Sequence, residues 1–235
     1  MTGDRRSEAP TLGIFSSIAG RYDLANRITS FGLDQGWRRF AARRLGPEGA
    51  GDVLDLAAGT GDLAIADVRY GQAVSVIATD VNEEMMALGR AKIQARGFDD
   101  RITFRFADAQ DLPFEDESFD GVTVGFGVRN FEDRPRAFAE VLRVLKPGRR
   151  FVCLEFAKPR ALLVQGPHRV YLRHAVPAWG RLLTGDRESY EYLATSIEAF
   201  PPQETLAAML RDAGFADVRW TDLALGAVAV HVATK

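Results

Sequence analysis

The stretch DVLDLAAGTGDLA, Asp52 to Ala64, runs from a β-rich segment through two glycines into a helix-forming pattern. A strand, a glycine turn and a helix in that order begin a βαβ unit. Gly59 and Gly61 let the backbone approach a ligand closely, and Asp55 sets a carboxylate on the strand. The helix beyond Asp62 offers unpaired N–H groups. The loop is not a dinucleotide fingerprint, because Ala64 stands at the third glycine position, and no Gly-Lys-Ser/Thr follows to make a P-loop.

Outward from this unit, the same alternation continues. Residues 52–57, 74–80, 102–107, 119–126 and 150–156 have strand composition, and residues 62–69, 82–96 and 134–145 have helical patterns. Phe138, Val141, Leu142 and Leu145 form one apolar stripe, and Lys146-Pro147-Gly148 ends that helix. Residues 160–200 are helical without a clear strand, and 202–215 form a helix closed by Gly214. The final runs, 216–224 and 226–235, meet at Leu225-Gly226 and suit an antiparallel pair at a sheet edge. Strands alternating with helices predict an α/β, doubly wound, Rossmann-like domain. It spans residues 11–235, with an N-terminal helical lid over 11–50, a helical insert over 160–200 and a polar tail at 1–10.

With 235 residues, 46% of them hydrophobic, the chain can bury a full core. A net charge of −2 argues against a nucleic-acid surface. Cys153 is the only cysteine, which excludes an intrachain disulfide and a cysteine-built zinc site and suits a core position. No apolar run is long enough to span a bilayer, and the N-terminus lacks the apolar stretch of a signal peptide, so a cytoplasmic protein is expected. His168, His174 and His231 join no carboxylate cluster, and no metal is expected.

The strand ends narrow the ligand. Asp80, with no basic residue beside it, suits acceptance from both ribose hydroxyls, while Asn82 can cap the following helix in its place. Asp108 suits acceptance from an adenine amino group, with the Ala109 backbone alongside. A glycine loop and two acids, in a cradle without an anchoring lysine or a helix-first phosphate loop, favour a nucleoside lacking a pyrophosphate. S-adenosyl-L-methionine fits, and a methyltransferase follows. The fourth strand end departs from its neighbours: VGFGVRNFEDRP, Val124 to Pro135, carries Arg129 and Asn130 beside Gly125 and Gly127.

Four segments resemble one family: IFSSIAGRYDLANRITSFGLDQGWRR, VLDLAAGTGDLA, FDGVTVGFGVRNFEDRPRAFAEVLRVLKPGRRFVCLEFAKP and YLATSIEAFPPQETLAAMLRDAGF. From about Leu12 to Thr234 the chain is similar to the C-methyltransferases of menaquinone and ubiquinone biosynthesis, among the class I S-adenosylmethionine-dependent methyltransferases. The resemblance implies seven strands in the order 3-2-1-4-5-7-6 with strand 7 antiparallel, and cofactor contacts from Thr60, Asp80, Asp108 and Ala109. Relatives often carry glycine at Ala58, LKPGGR in place of LKPGRR, serine at Gly125, and an aromatic near the C-terminus.

A quinol ring attacks a sulfonium methyl from a ring carbon once its hydroxyl proton is lost, and a fixed cation steadies that phenolate. Arg129 suits the task, directly or through a water. Asn130 suits orienting the oxygen, and Tyr22 suits closing over the site. Asp23, or else Glu132 or Asp133, is a candidate ion-pair partner for Arg129, and the base is water, hydroxide or Asp23. The expected reaction converts demethylmenaquinol to menaquinol. The alternatives are C-methylation of a polyprenyl benzoquinol and methylation of another small molecule. A nicotinamide-dependent oxidoreductase is opposed by the missing GxGxxG and the missing Tyr-x-x-x-Lys, and a non-catalytic binding protein by the intact polar set. The basic, aromatic segment 168–182 suits a membrane surface as well as it suits a packed helix, and a homo-oligomer is compatible with the same reading.

Overall fold

The computed structural model describes Arg27 and residues 30–46, 51–183 and 187–235. The expected tail at 1–10, and Tyr22 and Asp23 of the lid, lie outside the described residues. Strands β1 (Asp52–Leu56), β2 (Ser75–Asp80), β3 (Ile102–Phe106), β4 (Phe119–Gly125), β5 (Leu145–Phe156), β6 (Val218–Leu223) and β7 (Val228–Thr234) form one sheet. Their order is 3-2-1-4-5-7-6. Strand β7 runs antiparallel to both β5 and β6, and the other pairings are parallel. The expected sheet order and the antiparallel edge are therefore both present.

The helices are α1 (Asp34–Ala42), α2 (Asp62–Tyr70), α3 (Glu83–Ala95), α4 (Arg134–Val144), α5 (Leu162–Val170), α6 (Val176–Leu183), α7 (Arg187–Ala199) and α8 (Gln203–Asp212). Asn82 caps α3 by accepting from Met85 N at 3.0 Å, which leaves Asp80 free of that task. Pro167 inside α5 and a π turn at Tyr171–Ala175 break the insert into pieces, since proline supplies no N–H and a π turn shifts the ladder.

The strands alternate sides with period two, as a sheet covered on both faces requires. Leu54, Leu56, Val122, Val124, Phe151 and Cys153 pack with Phe138, Val141, Leu206 and Leu210 of α4 and α8. Val53, Val76, Ala78, Val152 and Leu154 pack on the other face with Ala41, Leu63, Ile65 and Ile93 of α1, α2 and α3. Cys153 is buried, as its composition predicted. Strand β5 starts earlier than sequence suggests, because Leu145 pairs with Phe119 before a register shift restores the ladder at Gly121 and Arg150. Gly148, at φ 73°, turns the chain inside that irregular stretch, and its N–H donates to Lys235 O at 2.9 Å. His231 belongs to the core: its Nε2 donates to Gln203 O at 2.9 Å and its ring stacks on Trp220.

Candidate active site

The carboxyl ends of β1, β2 and β4 lie side by side, so the loops they release share one edge of the sheet. The loop after β1 needs left-handed backbone at Ala57 (φ 48°), Gly59 (φ 56°) and Gly61 (φ 80°). A positive φ in an alanine is uncommon and stored where a site demands it. Asp80 ties this loop to its own. Its Oδ2 accepts from Gly59 N at 2.7 Å and its Oδ1 from Asn82 N at 2.9 Å. Burial pushes the Asp80 carboxyl up, against the pull of N–H groups from Asn82, Gly59 and Val81.

Thr60 is buried and its hydroxyl accepts from Lys92 Nζ at 2.6 Å. The cradle is expected from sequence to lack a lysine, yet α3 brings Lys92 to it, because the helix packs beside the loop from 30 residues further along the chain. Lys92 also bonds Asp62 Oδ1 at 3.1 Å, which helps hold that carboxyl below its usual range. Asp108 is exposed, with its Oδ1 accepting from Gln110 N at 2.9 Å, and Ala109 is buried beside it.

Asp55 is fully buried in an arrangement that sequence did not predict. It pairs in register with Thr123 of β4, and both point to the α2 face, where Asp67 meets them. Thr123 Oγ1 lies 3.2 Å from Asp55 Oδ1 and 2.8 Å from Asp67 Oδ2. One hydroxyl has one proton, so a single threonine cannot donate to two carboxylates, and the contact closes only if one carboxyl is protonated. Burial raises Asp55 to about 7, against the opposing pull of Arg38, Thr123 and the Ala64 N–H. Burial and the Asp55 charge push Asp67 well above the usual carboxylate range.

At the end of β4, Val128–Asn130 make a 3-10 turn entered through Phe126 at φ 60°. Gly127 has to be glycine, since a Cβ there would sit 2.6 Å from Ala57 Cβ. Gly125 is less confined, its nearest neighbour being Leu63 Cδ2 at 3.0 Å. Arg129 does not pair with Glu132 or Asp133, which are exposed; Asp133 instead caps α4 by accepting from Arg136 N at 3.0 Å. The partner is Glu155, at the end of β5. Arg129 Nη1 lies 3.1 Å from Glu155 Oε1, with both side chains at most 4% exposed. Local sequence spacing could not reveal a partner on the next strand. Glu155 further accepts from the N–H groups of Arg129 at 3.2 Å and Phe156 at 2.9 Å.

Arg129 Nη1 also donates to Phe126 O, while Nε is buried without a hydrogen bond and Nη2 makes none among the described residues. One edge of the guanidinium is thus held, and the other makes no hydrogen bond among the described residues. The fork lies over the Phe156 ring, and Phe156 packs on Phe126 at 4.7 Å. Arg134 staples the turn from below through Val128 O at 3.1 Å and Arg129 O at 3.0 Å. Asn130 is met by a second residue that sequence reasoning missed: Tyr192 of α7 donates to its Oδ1 at 3.2 Å. The family segment beginning YLATSIEAF starts at Tyr192, so the helical insert reaches the β4 end at that point.

Residues 4–235 match the ubiE/COQ5 methyltransferase family. The chain belongs to this family. Curated relatives named ubiquinone/menaquinone biosynthesis C-methyltransferase UbiE include that of Teredinibacter turnerae, 42% identical over 95% of this chain and 90% of the relative. That of Shewanella halifaxensis is 41% identical over 95% and 89%. Among solved structures, a putative S-adenosylmethionine-dependent methyltransferase of Methanococcus maripaludis aligns with TM-score 0.67 at 19% identity, covering all of this chain and 97% of its own. A methyltransferase of Thermotoga maritima aligns with TM-score 0.66 at 19% identity, over 95% and 99%. At such identities these structures attest the fold.

As a member of the ubiE/COQ5 family, the protein is an S-adenosylmethionine-dependent methyltransferase. The residues present fit that cofactor. The backbone at Gly59 and Gly61 can be approached closely, Asp80 stands as an acceptor at the end of β2, and buried polar atoms on Asp55 and Arg38 lack hydrogen-bond partners.

Proposed function

We propose that the protein methylates a ring carbon of a prenylated quinol, converting demethylmenaquinol to menaquinol. The family and the names of its curated relatives support C-methylation in quinone biosynthesis. The observation that carries the reading at the site is the Nε–Nη2 edge of Arg129, a permanent cation that makes no hydrogen bond on that side among the described residues.

In this proposal Gly59, Thr60, Gly61, Asp80, Asp108 and Ala109 hold the nucleoside, and Asp55 lies beneath the loop. Bound S-adenosylmethionine supplies an electrophilic methyl group on a sulfonium. Arg129 holds the ring oxygen and stabilises its negative charge as water or hydroxide takes the phenolic proton. Asn130, steadied by Tyr192, orients the same oxygen. The Phe126 and Phe156 rings wall the ring site and keep water from it. The ring hydrogen at the methylated carbon then leaves to solvent, and the aromatic ring is restored.

The deciding assay offers reduced demethylmenaquinol and a demethylated polyprenyl benzoquinol in parallel, with product masses as the readout. Faster ring methylation of the naphthoquinol is expected. A clear preference for the benzoquinol would move the substrate to the ubiquinone branch, and label confined to an oxygen would overturn C-methylation.

A prenylated substrate lives in a bilayer, and one face of the molecule suits contact with it. Helix α5 has no buried residue, and its Leu162 and Leu163 are 83% and 91% exposed. Exposed Phe31 lies beside Tyr171, which places the α1 entry turn on the same side. Lys158, Arg160, Arg169, Arg173 and Arg181 accompany them, and no acidic residue lies between Glu155 and Asp186. Apolar side chains among cations favour an anionic lipid surface. No helix among the described residues is long and apolar enough to cross a membrane, so the contact proposed is peripheral. Co-sedimentation with anionic vesicles is expected for the wild type, and the partition coefficient is expected to fall by at least about tenfold in Leu162→Glu/Leu163→Glu, as burial of two leucines is lost. Equal sedimentation of both would remove this surface.

A further inference from the structure

We propose that Arg38 binds the carboxylate of the methionine moiety of S-adenosylmethionine. This rests on the cofactor and is independent of the quinol. Arg38 stands on α1, only 7% exposed, with its guanidinium 5.4 Å from the centre of the Phe126 ring. A Cβ on Gly125 would lie 3.4 Å from Arg38 Nη1, so the guanidinium sits against the end of β4. Its charge also reaches the loop after β1, since it pulls the carboxyls of both Asp55 and Asp62 down.

A guanidinium so buried normally finds acceptors, because a desolvated charge without them is costly. Arg38 has none. Its Nε is buried without a hydrogen bond, and its other two nitrogens make none among the described residues. The nearest acid, Asp34, holds its Oδ2 3.8 Å from Nε, beyond hydrogen-bond length. Asp34 already accepts from Ser30 at 3.2 Å and Gln35 at 3.1 Å. Helix α1 therefore places a five-donor fork beside the cofactor loop, and no acceptor among the described residues takes it up.

The chemistry of the cofactor supplies the missing acceptor. S-adenosylmethionine has one carboxylate, and the strand ends facing it carry acids: Asp55, Asp80 and Asp108. Each of these would repel that carboxylate. The other cation at the loop, Lys92, is bonded to Thr60 and Asp62. A carboxylate also matches the planar guanidinium, two N–H groups to two oxygens.

The test is calorimetry with S-adenosylmethionine and with its decarboxylated form, which keeps the nucleoside, sulfonium and amine. Wild-type protein is expected to prefer the intact cofactor by about 10- to 100-fold, the range for a charge-assisted hydrogen bond. Arg38→Gln is expected to abolish that preference by weakening S-adenosylmethionine alone. Equal binding of the two ligands by the wild type, or equal weakening of both by Arg38→Gln, overturns the assignment. Should Arg38→Gln not fold, Arg38→Lys keeps the charge and loses the fork. A severalfold smaller preference is expected there, and an unchanged one overturns the proposal. Wild-type protein that binds neither ligand overturns the cofactor and the Arg38 assignment together.

Discussion

Arg129→Ala is expected to lower turnover by about 10²–10³-fold, as removal of an oriented charge-stabilising donor does. It is also expected to destabilise the fold by about 3–5 kcal/mol, because Glu155 is left buried and unpaired. The two effects share a residue but have different atoms behind them. Nη1 serves the fold through Glu155 and Phe126 O, while the Nε–Nη2 edge is what the substrate oxygen would use. The double variant Arg129→Met/Glu155→Gln separates them. It removes both charges and keeps one carbonyl oxygen for one of the two N–H groups, of Arg129 and Phe156, that Glu155 serves, so urea unfolding is expected to show part of the stability restored. Turnover is expected to stay lost. If activity returns with stability, Arg129 is a structural residue and its proposed contact with the ring oxygen is wrong. Arg129→Lys adds a second check, since it keeps the charge without the fork; near-normal turnover in that variant would show the fork geometry to be unused.

Asp67→Asn is expected to make the protein more stable at pH 8 and to flatten its dependence on pH. Asp55 and Asp67 both have folded pKa values raised above the unfolded one, Asp55 from 3.8 to about 7. The native state therefore binds more protons than the unfolded chain within that window, and stability falls as pH rises through it. Across the window the buried pair destabilises the wild type progressively as its carboxyls lose their protons. Asp62, Asp120 and Glu140 have lowered pKa values and act in the opposite sense, their stabilisation being lost only as pH falls into the carboxylate range. Maximum stability is thus expected on the mildly acidic side of neutral. An asparagine at 67 keeps a hydrogen bond to Thr123 without the charge that burial opposes. Thermal melts at pH 5.5 and pH 8 decide it: a wild-type Tm that does not fall between them means the pair is not protonated as the geometry requires.

The fold was legible because its signals are local. The switch from period-two to helical patterning, the glycines of the β1 loop and the Leu225-Gly226 turn depend on near neighbours in the chain, and each is where expected. Two local expectations shifted. The α4–β5 boundary moved because Leu145 gains a strand partner in Phe119, and pairing of that kind overrides the helix-stop signal of the residues after it. Asp80 and Asn82 both suited the cap of α3, and the backbone gave the cap to Asn82.

The sequence by itself determined the sheet, its order through family resemblance, the cofactor loop and the presence of a cation and an amide beyond β4. The tertiary structure alone decided what those groups touch. Glu155 beneath Arg129, Tyr192 against Asn130, Lys92 on Thr60 and Asp67 beside Asp55 all come from elements distant in the chain. The physical reason is range. Backbone propensity and hydrophobic period act over a few residues, whereas a buried polar group is satisfied by whatever neighbour the packing of the sheet delivers. Arg38 is the exception, a buried cation to which packing delivers no acceptor among the described residues.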